Sequence, residues 1–497
     1  MSGVIVGLDG QPLSQAYEGA TRSPRDGGWT APSIGPNRAL ASAGKSLRNR
    51  TRAGYRNSLL MRSGLTKNTT NEIGKGFTLM STCKDEKFKA AVDEAWKITA
   101  MELDPWGDLN FGGICYLAGL SRRMSGEVFI RRLNRRIDSG LMTPVQVEIL
   151  ESDMCPQDLN RRISHDRRII QGVEFYRKSK VAFWFYKSHP DDGIENVNLH
   201  DCIRVPARDV IHHYKPSRPG QVRAEPETAA ALLKDRTLHE YNDKELIRKS
   251  NRAGFTGVLE RESFGEDDFE FDPHTGKPKY EDSNGAESRE TIQAGTWLRM
   301  LPGEKAVPFE GDNAGQGYAD FLRWETLLYS AGMDIPYPLL TNDWSNLNDR
   351  LVRAMLNEYR RGLIADQTNL SGFQVAFGIW RWVVETLVIT GKIQARGFAE
   401  NPWKYFSVDV RPDAWKHLHP EQDINARNKA TSSHMSNVER EAADYGTDME
   451  DNMRRNARAL AMWERICDEQ KVKQPSALGG LFSSPNLITT GGGEDEE

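Results

Sequence analysis

Few residues in this chain have the type and spacing that covalent chemistry needs. The most tempting are the adjacent histidines of Asp209-Val210-Ile211-His212-His213. Two imidazoles could share a transition metal, but neighbours in a strand point to opposite faces, so this pair cannot chelate one ion. His189-Pro190-Asp191-Asp192-Gly193 carries ligand-type side chains, yet its composition is that of a turn. The acidic cluster Glu266-Asp267-Asp268, continued by Glu270 and Asp272, lacks the spacing and the glycine of a calcium loop. It reads either as a solvated edge or as an electrostatic docking surface. Gly44-Lys45-Ser46 looks like the end of a phosphate loop, but position 39 is Ala39 where glycine is required. No nucleophile elbow and no H-E-x-x-H zinc helix occurs. The expectation is no catalytic, metal or cofactor site, and a protein that is not an enzyme.

What could position a non-catalytic site is spread along 497 residues, enough for two to four structural units. Lys and Arg total 66 against 70 Asp and Glu, a formal charge of −4 that argues against a dedicated nucleic-acid clamp. The five cysteines are odd in number, far apart and without a C-x-x-C pair, so neither a disulfide framework nor a zinc site is supported. With no basic-then-apolar order at the N-terminus, a reduced, cytosolic folding compartment is expected. The most apolar stretch, 373–391, carries Arg381 and Glu385 at its middle, each costing about 2.5–3.5 kcal/mol at a bilayer centre. Phe373, Phe377, Trp380, Val384 and Leu387 recur there at helical spacing, which predicts one buried face of a helix and no membrane span.

From Arg38 to Arg62 every charge is positive, including Arg48, Arg50, Arg52 and Arg56. This run reads as a solvated helix face, or as a surface meeting phosphate or an acidic neighbouring subunit. Helices are predicted over 86–100 and 111–124. Strands follow at 127–131 and 145–149 around Asp138-Ser139-Gly140, at 169–176 and 182–186 around Arg177-Lys178-Ser179-Lys180, and at 202–205 and 210–214. A long helix is expected over 227–251, then an acidic insertion at 263–291 and a strand-like stretch at 296–307. Phe321, Trp324, Leu328 and Ala331 mark one face of a helix, and Val352, Met355, Leu356, Tyr359 and Leu363 a face of the next. Residues 421–470 are charged and helical, and the chain ends in an acidic tail.

Several short segments occur in a telling order along the chain. They are Arg52-Ala53-Gly54-Tyr55-Arg56-Asn57, Asn68-Thr69-Thr70-Asn71-Glu72-Ile73-Gly74-Lys75-Gly76-Phe77, Gly126-Glu127-Val128-Phe129 and Gln171-Gly172-Val173-Glu174-Phe175. Trp184-Phe185-Tyr186, Val205 to His212, Pro219-Gly220-Gln221-Val222-Arg223 and Leu301-Pro302-Gly303-Glu304 follow. Ala331 to Tyr337, Asn342 to Asn348 and Arg353-Ala354 complete the series. In this order the segments resemble the lambda-type family of tailed-phage portal proteins, and Asp349-Arg350-Leu351 and His419-Pro420 depart from the family pattern.

The resemblance implies an α+β portal fold, with α/β wing, helical stem, small mixed clip and helical crown, assembled as a ring of twelve subunits at one capsid vertex. Double-stranded DNA would pass through it non-specifically during packaging and ejection. Terminase would supply the ATP hydrolysis, with head-completion, adaptor and tail proteins docking later and major capsid and scaffold proteins surrounding the ring. It divides the chain into a flexible arm (1–37), a basic arm plus wing (38–226), a first stem helix (227–254), a clip with the acidic insertion (255–315) and a second stem helix (316–340). A tunnel loop and helix (341–365), wing and crown helices (366–470) and a flexible acidic tail (471–497) complete it. Glu266, Asp267, Asp268, Glu270 and Asp272 become terminase or adaptor contacts, and Arg48, Arg50, Arg52 and Arg56 subunit or DNA contacts. The tunnel lining would be Asn342, Asp343, Trp344, Ser345, Asn346, Asn348, Asp349, Arg350 and Arg353, with Trp344 either brushing the duplex or anchoring the loop.

Electrostatics agrees with that lining. A channel about 30 Å long faces about 18 phosphates, and a wall dense in Lys and Arg would hold the strand rather than let it move. A polar, charge-balanced segment touches phosphates without reading bases.

Overall fold

The computed structural model describes residues 32–193, 199–254, 257–261, 304–308, 317–345, 347–415 and 419–470. The arm at 1–31, the acidic insertion with Glu266, Asp267, Asp268, Glu270 and Asp272, Asn346 and the acidic tail lie outside those residues. The described chain is mixed α/β and mostly helical. It opens with α1 (Pro36–Asn57) and α2 (Leu59–Ile73), then β1 (Thr78–Ser81), α3 (Glu86–Glu102) and α4 (Phe111–Ser125). Local chemistry sets the helix starts: Asp85 caps α3 by accepting from the Lys87 and Phe88 amides, and Asn110 caps α4. Gly126, at φ +85°, ends α4 where an added Cβ would lie 2.5 Å from the Ala224 carbonyl oxygen.

A β-rich body follows: β2 (Glu127–Asn134), β3 (Val145–Glu151), β4 (Arg161–Arg162), β5 (Arg167–Ile170), β6 (Val173–Tyr176), β7 (Ser179–Phe185), β8 (Ile203–Pro206) and β9 (Val210–Tyr214). They make two antiparallel sheets, ordered β3-β2-β9 and β4-β5-β6-β7-β8. The hairpin expected around Asp138-Ser139-Gly140 is β2–β3, with Ile130 opposite Ile149. The strand expected over 169–176 is instead two, β5 and β6. Gln171 and Gly172 between them take φ +50° and +80° and turn the chain back on itself. A Cβ on Gly172 would meet Cys155 Sγ at 2.6 Å. Apolar periodicity is blind to such a turn because the residues on either side are apolar too.

Next come α5 (Leu232–Gly254), β10 (Gly257–Arg261) paired with β11 (Glu304–Pro308), α6 (Tyr318–Gly332), α7 (Tyr337–Thr341) and α8 (Asp349–Asp366). A π-helical segment, Gln367–Ala376, carries α8 without a break into α9 (Phe377–Ile389). The two helices expected here are therefore one run of 41 residues, and the division expected at 365 falls inside it. That run is long and apolar enough to cross a membrane by composition. Its apolar side chains are nevertheless used internally: Ile379, Trp380, Val383, Val384 and Leu387 are completely buried. Phe373, expected on that face, is exposed, because the π segment's wider turn shifts the register of the stripe. The chain closes with α10 (Trp403–Phe406), β12 (Val408–Arg411) paired antiparallel with β1, α11 (Pro420–Ser432), α12 (Val438–Asp444) and α13 (Met449–Gln470).

Three cores hold these elements. In the first, Trp96 of α3 meets Phe111 of α4 at 5.0 Å and Trp380 of α9 at 5.5 Å, edge to face in both cases. The second joins Met61 and Leu65 of α2 to Leu238, Tyr329, Leu340, Tyr359 and Leu363, tying α5 through α8 together. The third lies between the sheets around Phe129, Phe183 and Phe185. Each fully buried side chain of this size contributes about 1.5–3 kcal/mol. The apolar face of α6 that carries Phe321, Trp324 and Leu328 lies open, these residues being 45%, 63% and 50% exposed. The buried face carries Thr326 and Tyr329, with Leu322 packed beside them, because α6 has apolar residues on two stripes and α5 and α7 cover the other one.

Candidate functional site

The segment expected to line a channel leaves α7 through Asn342, whose φ of +61° ends that helix. Lys67 of α2 steadies it by donating to Asn342 Oδ1 at 2.6 Å. Asp343 accepts from the Ser345 amide at 3.1 Å, from the Ser345 hydroxyl and from Tyr337 Oη at 3.3 Å. The Ser345 bonds hold its carboxyl below the usual range. Asn348 caps α8, accepting from the Leu351 amide at 2.8 Å. Asp349 pairs with Arg353 one turn on and takes a 3.3 Å contact from His419, and Arg353 first among these lowers its pKa. Six of the expected lining residues thus already fold their own loop. Trp344 and Arg350 are exposed and, among the described residues, make no hydrogen bond or ion pair.

The basic run divides in a way its sequence does not reveal. Arg48 is 3% exposed and bonds Asp153 at 3.0 and 3.2 Å and Gln157 at 3.1 Å. Arg52 joins it on Asp153 at 2.5 Å and reaches Glu151 at 2.9 Å. Burial would raise the Asp153 carboxyl, but the two guanidiniums keep it below the ordinary range. The charges of Arg48 and Arg52 are therefore met inside the chain, which corrects the picture of one solvated face. Arg50 and Arg56 are exposed and remain open to an outside contact. His189 comes within 3.6 Å of Glu151, which brings the ligand-type side chains of Glu151, Asp153 and His189 together, but Arg48 and Arg52 already neutralise the carboxylates.

Behind the loop lie two buried ionic knots, and the segments that carry the resemblance converge on them. In the first, Arg223 of Pro219–Arg223 is 1% exposed and donates to Glu127 Oε1 at 2.5 Å. Its other donors reach the carbonyl oxygens of Cys155, Gln171 and Ser152 and the Ser152 hydroxyl, between 2.8 and 3.2 Å. Glu127 also bonds His212 Nε2 at 2.8 Å and Ser152 Oγ at 2.6 Å. Burial works to raise Glu127, and Arg223 with His212 holds it at about 2. In the second, Glu72 of α2 receives Arg122 Nη2 at 2.8 Å, Arg123, and Ser371 Oγ at 2.5 Å. Both arginines also meet Glu227, and Lys215 pairs with Asp366 at 2.9 Å. Burial again works against Glu72, and Arg122 and Arg123 keep it at about 2. Gln367 of the π segment donates to the Glu72 carbonyl oxygen at 2.8 Å. His213 Nδ1 meets Gln374 at 2.9 Å, on the face of β9 opposite His212, as alternation requires.

Arg123, Glu227, Lys215, Asp366, Asn68 and Tyr359 line a cleft of about 660 Å³ between this knot and α8. Each of its buried carboxylates already faces a cation, so it is built to tie α8 and the π segment to the β-body rather than to perform a reaction. Arg122, Arg123 and Glu227 were missed by sequence reasoning. The signal was available: two adjacent arginines in an otherwise apolar helix must meet acids if that helix is buried.

The profile of the family described as phage portal protein, lambda family, matches residues 22–367. The chain belongs to that family. A protein named "probable portal protein" from Halomonas phage phiHAP-1 is 28% identical over 213 residues, covering 42% of this chain and 39% of that protein. The match thus spans about two fifths of the length of that curated relative. Among solved structures, the neck of a native gene transfer agent particle computed with C12 symmetry is similar at 10% identity and a TM-score of 0.45, over 84% of this chain and 96% of that one. The neck of an empty particle computed with C6 symmetry follows at 14% and 0.47, over 85% and 97%.

Proposed function

We propose that the chain is the subunit of a portal ring at one capsid vertex, through which double-stranded DNA moves without being read. The observation that carries this reading is the family match across residues 22–367. The surface supports it. Phe321, Trp324 and Leu328 of α6, with Leu233, Leu246 and Ile247 of α5, leave apolar area uncovered on a paired-helix unit. A closed ring repeats one heterologous interface, so each subunit needs two such unlike faces. The family reading assigns α5 and α6 to the stem, the body before them to the wing, 255–315 to the clip and the C-terminal helices to the crown. Residues 342–353 become the wall facing DNA, where Asp349–Arg353 is charge-balanced and Trp344 and Arg350 are exposed. Arg50 and Arg56 are offered to a neighbouring subunit or to DNA. The acids 266–272 are offered to terminase or an adaptor, with capsid, scaffold and tail proteins as further partners.

Sedimentation velocity and negative-stain imaging of the purified chain test the proposal. A ring, expected at twelve subunits, is the predicted outcome. A chain that stays monomeric at high concentration overturns it.

A further inference from the structure

We infer that α13 is a contact helix between copies of this chain, seated between the α13 helices of two ring neighbours through two unlike apolar flanks. The inference rests on the ring reading and names surfaces that close the ring. From Glu450 to Gln470 every residue is exposed except Trp463, which is half-buried, and Cys467, which is buried. Met449, at the start of the helix, is half-buried too. These three share one stripe of the helix, so a single line of side chains seats α13 on its own chain, beside α12. Met453 and Leu460, 58% and 40% exposed, lie on one side of that stripe. Met462 and Ile466, 52% and 39% exposed, lie on the other. At about 100° per residue, the mean directions of the two flanks differ by about 150°.

That angle selects the occupant. A two-fold dimer needs one self-complementary patch, whereas a closed ring presents two unlike faces to two neighbours. In a ring of twelve, the directions from one subunit to its neighbours differ by about 150°, the interior angle of the polygon they form. Charge allows copies to approach. The helix carries five acids and four arginines, and Arg454–Glu450, Arg455–Asp451 and Arg465–Glu469 pair within it. Two copies therefore meet without net repulsion. Packing demands a partner as well, since helices draw most of their stability from a covered apolar face and α13 covers only its central stripe. Leu460 and Met462 lie about 3 Å apart along the axis but on opposite flanks. Parallel helices at one level thus bring Leu460 of one copy to Met462 of the next.

The test is the full chain carrying Leu460→Cys and Met462→Cys together, treated with a short bismaleimide and read on a denaturing gel, with sedimentation of the same samples. Cys83, Cys115, Cys155 and Cys467 are buried, and the unaltered chain controls for the half-buried Cys202. A copy with one new cysteine can be joined to one other copy, so either single variant should stop at a covalent dimer. The double variant should give a ladder of products beyond the dimer, running up to the full ring. Rings by sedimentation with no product past the dimer overturn the inference and leave the ring reading standing. An unaltered chain that forms no rings overturns both. Should the double variant fail to fold, hydrogen exchange of the unaltered chain decides. The amides of α13 should exchange at least about tenfold more slowly in rings than in monomers, and equal exchange overturns the inference.

Discussion

Arg223 donates to five acceptor atoms and touches almost no water, while His212 and His213, one residue apart, face separate knots on opposite sides of β9. These buried groups tie stability to pH. Burial lowers His212 to about 4 and His213 to about 3, from 6.5. The unfolded chain therefore takes up protons that the folded chain refuses, and stability that is complete above pH 6.5 drains away as pH falls toward those values. Glu72 and Glu127, held at about 2 against 4.5, act in the same direction lower down, contributing fully above 4.5 and less as pH approaches 2. The urea midpoint is expected to be level from pH 8 to 7, to fall below 6.5 and to steepen below 4.5. A midpoint unchanged between pH 7 and 4 would show that these four groups are not buried as described.

At the scale of elements, the 41-residue run from α8 to α9 connects the loop at 342–348 to the most buried core. Its π segment is packed in place: an added Cβ on Gly372 would lie 2.5 Å from the Gln367 carbonyl oxygen, and Gln374 accepts from and donates to the Tyr214 backbone like an extra strand residue. The free end of the run depends on Asn348, which satisfies the Leu351 amide. Asn348→Ala should cost about 1 kcal/mol. The loss should appear as faster hydrogen exchange across the first turn of α8, with the exchange of α9 unaltered. Uniform acceleration along both helices would mean that the π segment transmits disorder instead of containing it.

For the whole molecule, the exposed stripe on α6 lets folding be tested apart from the proposed assembly. Trp324 is 63% exposed in the single chain, so Trp324→Glu should leave its thermal midpoint nearly unchanged. In a ring the same substitution would bury a carboxylate against a neighbour. The expected result is a sedimentation profile shifted from ring to monomer at unchanged secondary structure. A variant that forms rings as readily as the parent would place the interface elsewhere.

Much of this was legible one segment at a time. The β2–β3 hairpin, the helix α3 and the order of the family's short segments are written in residues at most a few positions apart, where turn chemistry and apolar period operate. Tertiary structure alone decided which charges meet. Arg48 finds Asp153 at a separation of 105 residues and Arg223 finds Glu127 at 96. It also decided that the face of α6 carrying Phe321, Trp324 and Leu328 stays uncovered and that α8 flows into α9. Periodicity can propose that a helix has an inside, but a buried charge tolerates only the partner that the folded backbone brings within bonding distance, and that partner is set by the path of the whole chain.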